Sequence, residues 1–373
     1  MDTLPLEILR AQTTAERAKA FRLRYELYVA QQGLFGANAN HQRRWLRDEA
    51  DEHATIWLAT RGPQAIASAR MCWGGEQLDA GTRAAFGLDT FAGAVDESAI
   101  AIVSRLVVHP EHRDPRLKLR LFVDMLGEAL ARASEVVLIE CEPHLVNRWI
   151  KLGFRPYGLT EHPVNGVLVR LALVLGDHAH IAGLGSPLAP FLTQSSGRSA
   201  CARRVASRLE HSEQVLSQAQ DHDEFWAGLE ASLSLPALGA SLGDLDADEL
   251  ATVLRGAHLL RCSPGSVLIR KRHVSRTLYV LLRGSLIVAD EGVEIAEMTR
   301  PGEILGEVAL FSDGLRTRDV LAGSAGAAVL ALSERSVRAL IDSRDPAATK
   351  FMVALTRSLS GKLSERAGIR ATA

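Results

Sequence analysis

The stretch Pro301–Val320, PGEILGEVALFSDGLRTRDV, restricts the fold more than any other part of the chain. Gly302 and Gly306 are each followed by a glutamate, then come a short apolar turn, Gly314 and the pair Arg316–Thr317. Glycine supplies backbone geometry and close approach that a side chain would obstruct. Backbone amides of a helical turn, a hydroxyl and a bidentate guanidinium together suit a phosphodiester, and a carboxylate such as Glu307 suits a ribose hydroxyl. Short strand-like runs recur around this stretch between glycine turns, at Ser266–Ile269, Leu278–Leu282, Ser285–Val288, Glu294–Met298 and Ala328–Leu332. Such spacing predicts a β-roll or sandwich. Flanking helices are predicted at Ala247–Arg255, Glu334–Ile341 and Ala348–Leu363.

With the upstream segment LLRCSPGSVLIRKRHVSRTLYVLLRGSLIVAD, residues 242–365 resemble the cyclic-nucleotide-binding domain family. The resemblance implies that Arg316 holds the cyclic phosphate, Glu307 the ribose 2′-hydroxyl, and Thr317 phosphate or base. Gly306 and the backbone of Val308 and Ala309 would complete the cradle, with cyclic AMP ahead of cyclic GMP as effector. Arg318 and Asp319 depart from the small and hydroxyl residues usual after that threonine, and a degenerate roll that binds nothing is the competing reading. Many such domains precede a DNA-reading helix-turn-helix. Here the chain ends at Ala373, and Lys+Arg 43 against Asp+Glu 44 give a net charge of -1, so no nucleic-acid partner is expected.

The region before Leu175 has a different texture. An amphipathic helix is predicted over residues 14–31, where Ala18, Phe21, Tyr25, Leu27 and Tyr28 recur at helical spacing. Strands follow at Thr55–Ala59, Ala65–Met71, Ile100–Val108, Val136–Cys141 and Gly166–Val174, with helices at Lys118–Ala133 and Leu145–Leu152. This order predicts an α/β domain with a mixed sheet. The expected organisation is residues 1–176, a partly helical linker over 177–241, and the β-roll over 242–373.

Within residues 5–175, a Val108-His109-Pro110-Glu111-His112-Arg113 turn opening a helix, and later Leu152-Gly153-Phe154, resemble the GNAT acyltransferase superfamily. The helix FRLRYELYVAQQGLF, the spaced Asp48 and Asp51, Arg70 after the next strand, and Ser104-Arg105-Leu106 resemble one branch of it. That branch holds acyl-homoserine-lactone synthases and long-chain N-acyl amino acid synthases. The resemblance implies an N-acyltransferase whose polar lattice of Arg24, Asp48, Asp51, Arg70 and Arg105 orders the cleft and the acceptor. Lactone synthases carry a glutamate where Ile102 stands, which argues against that product. The usual tyrosine acid two residues before Lys151 is replaced by Trp149.

The chemistry suits these parts. A pantetheine thioester would lie along the strand edge at Leu106, Val107 and Val108 as an added strand. The helix starting near Pro115 would offer its amides to phosphate. The superfamily turn R-G-x-G reads Arg113-Asp114-Pro115-Arg116 here, without glycine, and the basic set Arg113, Arg116, Lys118 and Arg120 instead suits an acidic acyl carrier protein. Acyl carrier protein is therefore the expected donor, ahead of coenzyme A, with a small amine such as an amino acid as acceptor. Glu140, at its strand end, is a further candidate base. The alternatives are a cyclic-AMP-regulated protein-lysine acetyltransferase using acetyl-coenzyme A, and a non-catalytic nucleotide sensor.

Four dispersed cysteines and no CxxC pair predict neither disulfides nor structural zinc, and the His178/His180 pair is not taken as a metal site. No signal peptide or membrane-spanning run is expected, which places the protein in the cytoplasm.

Overall fold

In the computed structural model, residues 4–76, 78–192, 199–209, 212–310, 312 and 314–366 are described. Seven strands build the first sheet: β1 (Leu6–Arg10), β2 (Thr55–Arg61), β3 (Gln64–Trp73), β4 (Ile100–Val108), β5 (Val136–Cys141), β6 (Arg155–His162) and β7 (Gly166–Val174). Their spatial order is β1-β2-β3-β4-β5-β7-β6. β1 to β4 pair antiparallel and β4 with β5 parallel, so the sheet is mixed as the sequence predicts. β2 reads TIWLATR and buries its five central residues, which fits a strand covered on both faces.

The helix predicted over 14–31 is in two parts. Thr13 and Glu16 form a reciprocal capping box that starts an α-helix, Thr14–Arg24. The chain then widens into a π-helix, Tyr25–Ala30, closed by Gln31 N–H to the Glu26 carbonyl at 3.0 Å. Such widenings often mark functional sites, and this one directly follows Arg24.

Seven more strands follow: β8 (Val215–Ser217), β9 (His258–Cys262), β10 (Val267–Ile269), β11 (Thr277–Asp290), β12 (Val293–Met298), β13 (Ile304–Leu305) and β14 (Asp319–Ser333). They form an antiparallel roll ordered β12-β11-β14-β9-β8, with β10 on β14 and β13 on β11. The sequence predicts a turn at Gly284 between two strands; instead β11 runs through it. Gly284 sits at φ +82, and a Cβ there would lie 2.1 Å from the Gly326 carbonyl of β14. Glycine here permits close strand contact at a bulge rather than a turn. The roll's core joins Leu278, Val280 and Leu330 to Phe225 and Leu229 of the helix His222–Glu230 and Phe351 and Leu355 of the helix Pro346–Arg366.

The chain divides into two compact units. The first is Met1–Glu140, Lys151–Arg155 and Arg170–His211; the second is Cys141–Ile150, Pro156–Val169 and Ser212–Ala373. Among the described residues no helix is long and apolar enough to cross a membrane.

Candidate functional site

In the first unit the five lattice residues come together from four separate segments. Arg24, at the last turn of its helix, is fully buried and bonds Asp51 at 2.7 Å. Asp51 is itself buried, and accepts from the Asp48 amide at 3.0 Å across a tight turn. Arg70 of β3 pairs with Asp48, lies 3.6 Å from Asp51, and donates from Nε to Ser104 at 3.0 Å. Arg105 of β4 reaches Asp48 at 2.9 Å and stacks over the Phe35 ring at 4.5 Å. Three guanidiniums thus share two carboxylates. Burial would raise the Asp48 carboxyl, but Arg70 and Arg105 outweigh it and hold it below the usual range.

Arg105 has φ +52, a left-handed backbone rare for a side-chain-bearing residue. It sits where the β3–β4 register slips: Arg70 faces Ser104, but Ser68 faces Val107. One extra residue on β4 makes a bulge, which bends the strand and re-aims its side chain. Beyond it, β4 separates from β5. Their parallel register covers Ile100–Ile102; among the described residues Val107 and Val108 pair with Ser68 and Ala67 of β3, Leu106 falls in the bulge, and none of the three is paired with β5. Their β5 side is the edge expected for a pantetheine chain.

Glu140 lies near the end of β5. Burial pushes its carboxyl above the ordinary value, while Arg105, Arg170 and Arg70 pull against it. These partners place Glu140 in the same electrostatic neighbourhood as the lattice.

The phosphate end differs from expectation. The helix Pro115–Ala131 does start there, but Asp114 caps it, accepting from the Arg116 amide at 2.8 Å. A first-turn donor is therefore already satisfied by a negative group. Arg113, Arg116 and Lys118 are exposed around it. Among the described residues the grouping of three at ligand spacing is His109, Glu111 and His112, and it does not include His178 or His180.

In the second unit, Arg316 is buried, with its guanidinium on the Gly306 carbonyl at 3.0 Å and on the Thr277 carbonyl. Gly306 has φ +89, and a Cβ there would lie 2.4 Å from Arg316 Nη1. The residue must therefore be glycine for the arginine to nest. Glu307 is buried and bonded by Lys362 at 2.6 Å. Val308 and Thr317 are exposed beside them. Ala309 lies in the short helix Glu307–Leu310, and its side chain is outside the described residues.

The sequence did not single out Ser104, Phe35, Thr277 or Lys362. Ser104 stood beside Arg105 in the quoted motif. Phe35 ended the quoted helix segment. Thr277 and Lys362 carry no local signal, because they reach the site from 39 and 55 residues away.

A mixed-sheet acyltransferase fold with a bulged, splayed strand and a β-roll with a glycine-nested arginine define the two classes. The family comparisons agree. Residues 19–173 match the family described as N-acyl amino acid synthase FeeM, and residues 259–344 match the cyclic nucleotide-binding domain. The chain therefore carries an N-acyltransferase domain of FeeM type followed by a cyclic-nucleotide-binding domain. Solved structures that resemble parts of it include FeeM, an N-acyl amino acid synthase from uncultured soil microbes, at 19% identity and TM-score 0.41, covering 51% of this chain and 100% of that one. The CoA-dependent acyl-homoserine lactone synthase BjaI follows at 17% and 0.37, covering 49% and 90%. A putative cyclic nucleotide-binding protein from Geobacter metallireducens matches at 16% and 0.29, covering 33% and 91%. No curated protein matches the chain.

Proposed function

We propose that the chain is a cyclic-nucleotide-regulated N-acyltransferase that moves a long acyl group from a carrier thioester to the amine of a small acceptor bearing a carboxylate, an amino acid. The observation that carries this reading is the charge imbalance of the lattice. Among the described residues Arg24, Arg70 and Arg105 form their direct ion pairs with Asp48 and Asp51, three guanidiniums to two carboxylates, and Glu140 in its protonated form, which burial favours, leaves one positive charge in a largely buried cluster. One carboxylate on the acceptor would neutralise it.

The reaction needs a neutral amine next to the thioester carbon. The ammonium gives one proton to Glu140, whose raised carboxyl suits a base that later releases it. Nitrogen attacks the carbonyl carbon, the C–S bond breaks, and the second nitrogen proton neutralises the departing thiolate. Thioester and ammonium become amide, thiol and one proton. The β4 edge beyond the bulge would hold the pantetheine as an added strand.

Acyl carrier protein is favoured over coenzyme A as donor. Asp114 occupies a first-turn amide where a pyrophosphate would need donors, while the exposed Arg113 and Arg116 suit an acidic carrier surface. Cyclic AMP or cyclic GMP at Arg316, Glu307 and Thr317 would set the rate. The test is to incubate the chain with acyl carrier protein thioesters or acyl-coenzyme A, a mixture of amino acids, and either nucleotide or none. An N-acyl amino acid should form, with the rate changed by nucleotide. Acylation of protein lysines from acetyl-coenzyme A alone would overturn the acceptor and donor; no product from any donor would overturn the enzyme.

A further inference from the structure

β4 ends at Val108, and the chain turns at once through a 3-10 helix, Pro110–His112. Pro110 presets the backbone at its first position, and the His112 amide closes the turn on the His109 carbonyl at 2.9 Å. In a 3-10 turn, side chains three residues apart eclipse one another. His109 and His112 therefore share one side, with their rings 5.7 Å apart. Glu111 joins them, and the ligand atoms of the three side chains all lie within 4.8 Å of one another. The turn is anchored at both ends. The His109 amide donates to the Ile66 carbonyl at 2.8 Å, and the Asp114 amide to the His112 carbonyl at 2.7 Å.

Two details of the same ring point to a cation here. His109 Nδ1 is buried and has no hydrogen-bond partner among the described residues, and Glu111 Oε2 lies 4.0 Å from it. A buried polar atom left unbonded is costly unless something occupies it. The other ring nitrogen, Nε2, faces Glu26 Oε1 at 3.8 Å, and Glu26 belongs to the π-helix Tyr25–Ala30. A carboxylate behind the second nitrogen of a ligating imidazole orients the ring and raises its basicity. Two imidazoles and one carboxylate suit zinc or another late first-row divalent ion; calcium and magnesium take oxygen ligands instead. Three protein ligands leave a fourth position open.

We propose that His109, Glu111 and His112 form a zinc-class divalent-metal site whose open position takes the phosphate of the donor's phosphopantetheine arm. The turn begins one residue past Val107 and Val108, at the end of the edge assigned to the pantetheine. The helix that follows has little left to offer a phosphate. Pro115 has no amide hydrogen, and the Arg116 and Leu117 amides are both taken by Asp114. A metal ion supplies the positive charge that this capped helix start lacks. Glu26 touches the histidine and not the metal, so it acts as a positioning residue. Metal binding stands on these side chains alone, whereas the phosphate role rests on the thioester-donor function proposed above.

The test uses the full chain, stripped with a chelator and titrated calorimetrically with zinc alone. Zinc should bind the wild type, H109Q/H112Q should lose that binding, and H178Q/H180Q should keep it. E26Q should weaken it about tenfold or more, and E111Q, at the exposed carboxylate, gives a milder variant should the double one fold poorly. Cobalt serves as a second probe, because its visible absorption when bound should vanish in H109Q/H112Q. Phosphopantetheine should then bind the zinc-loaded chain about tenfold or more tighter than the stripped chain, and pantetheine without its phosphate should bind both alike. No zinc heat, or equal zinc binding in H109Q/H112Q and E111Q, would overturn the metal site. Phosphopantetheine binding indifferent to zinc would overturn the phosphate role. If both bindings are seen and yet no donor yields an amide, the site stands and the proposed function falls.

Discussion

Replacing Asp51 by asparagine separates the lattice's contribution to folding from its contribution to chemistry. Arg24 is fully buried, and its charge is balanced by Asp51 at 2.7 Å. Asparagine keeps the shape but removes the charge. It also leaves only one oxygen for two donors, since Asp51 serves Arg24 through one oxygen and the Asp48 amide through the other. Removing one partner of a buried pair costs about 3–5 kcal/mol, because a stranded guanidinium remains. In a domain of this size each kcal/mol lowers Tm by about 2–4 °C, so the first unit should melt about 6–20 °C earlier. The companion double variant R24M/D51L removes both charges at once and should recover most of that loss. It should nevertheless form no amide, because the acceptor's anion site has been dismantled. Hydrogen exchange over β2 and β3 reads the first unit alone, beside calorimetric melting of the whole chain. If D51N exchanged and melted like the wild type, or if the double variant were as unstable as the single, the buried-pair reasoning would be wrong.

Three further outcomes follow from named contacts. E140Q should lower the amide-forming rate by about a hundredfold or more, and the wild-type rate should rise with pH through a value above the ordinary carboxylate range, because burial raises Glu140; a surviving pH step in E140Q would assign it to another group. G306A should weaken cyclic nucleotide binding by about tenfold or more in calorimetry, since its Cβ would meet Arg316 Nη1 at 2.4 Å on a backbone at φ +89; unchanged affinity would mean that Arg316 does not nest there on binding. His258 is buried, and burial pushes its imidazole down to about 4. A depressed histidine leaves stability whole above its unfolded value near 6.5, and that stability is lost as pH falls from there through about 4, for a total of about 3 kcal/mol. H258Q should flatten the fall in urea midpoint across that window, and an unchanged slope would contradict the assignment.

Much of the site could be anticipated from the sequence because its residues sit in short motifs. Arg105 lies inside Ser104-Arg105-Leu106, and Asp48 and Asp51 share one turn, so a resemblance carried each of them to its place. What remained hidden is non-local or conformational. The π-helix at Tyr25–Ala30 has the same apolar spacing as an α-helix, and only the i+5 bond to Gln31 distinguishes it. Gly284 looks like a turn because glycine marks turns, but here it makes room for the Gly326 carbonyl on a neighbouring strand. Arg105's left-handed backbone is invisible in a residue type that seldom adopts it. The Asp114 cap could have been read from the Asp-Pro pair that opens the helix, since aspartate before an N1 proline is a common start signal.

The most direct check on the account is mass spectrometry of lipid extracts from cells expressing the chain, set beside cells expressing R70A, which removes the lattice's central guanidinium. The account predicts a fatty-acyl amino acid that accumulates with the wild type and is absent with R70A. Extracts identical to those of cells without the chain, when carrier thioesters and amino acids are abundant, would contradict it.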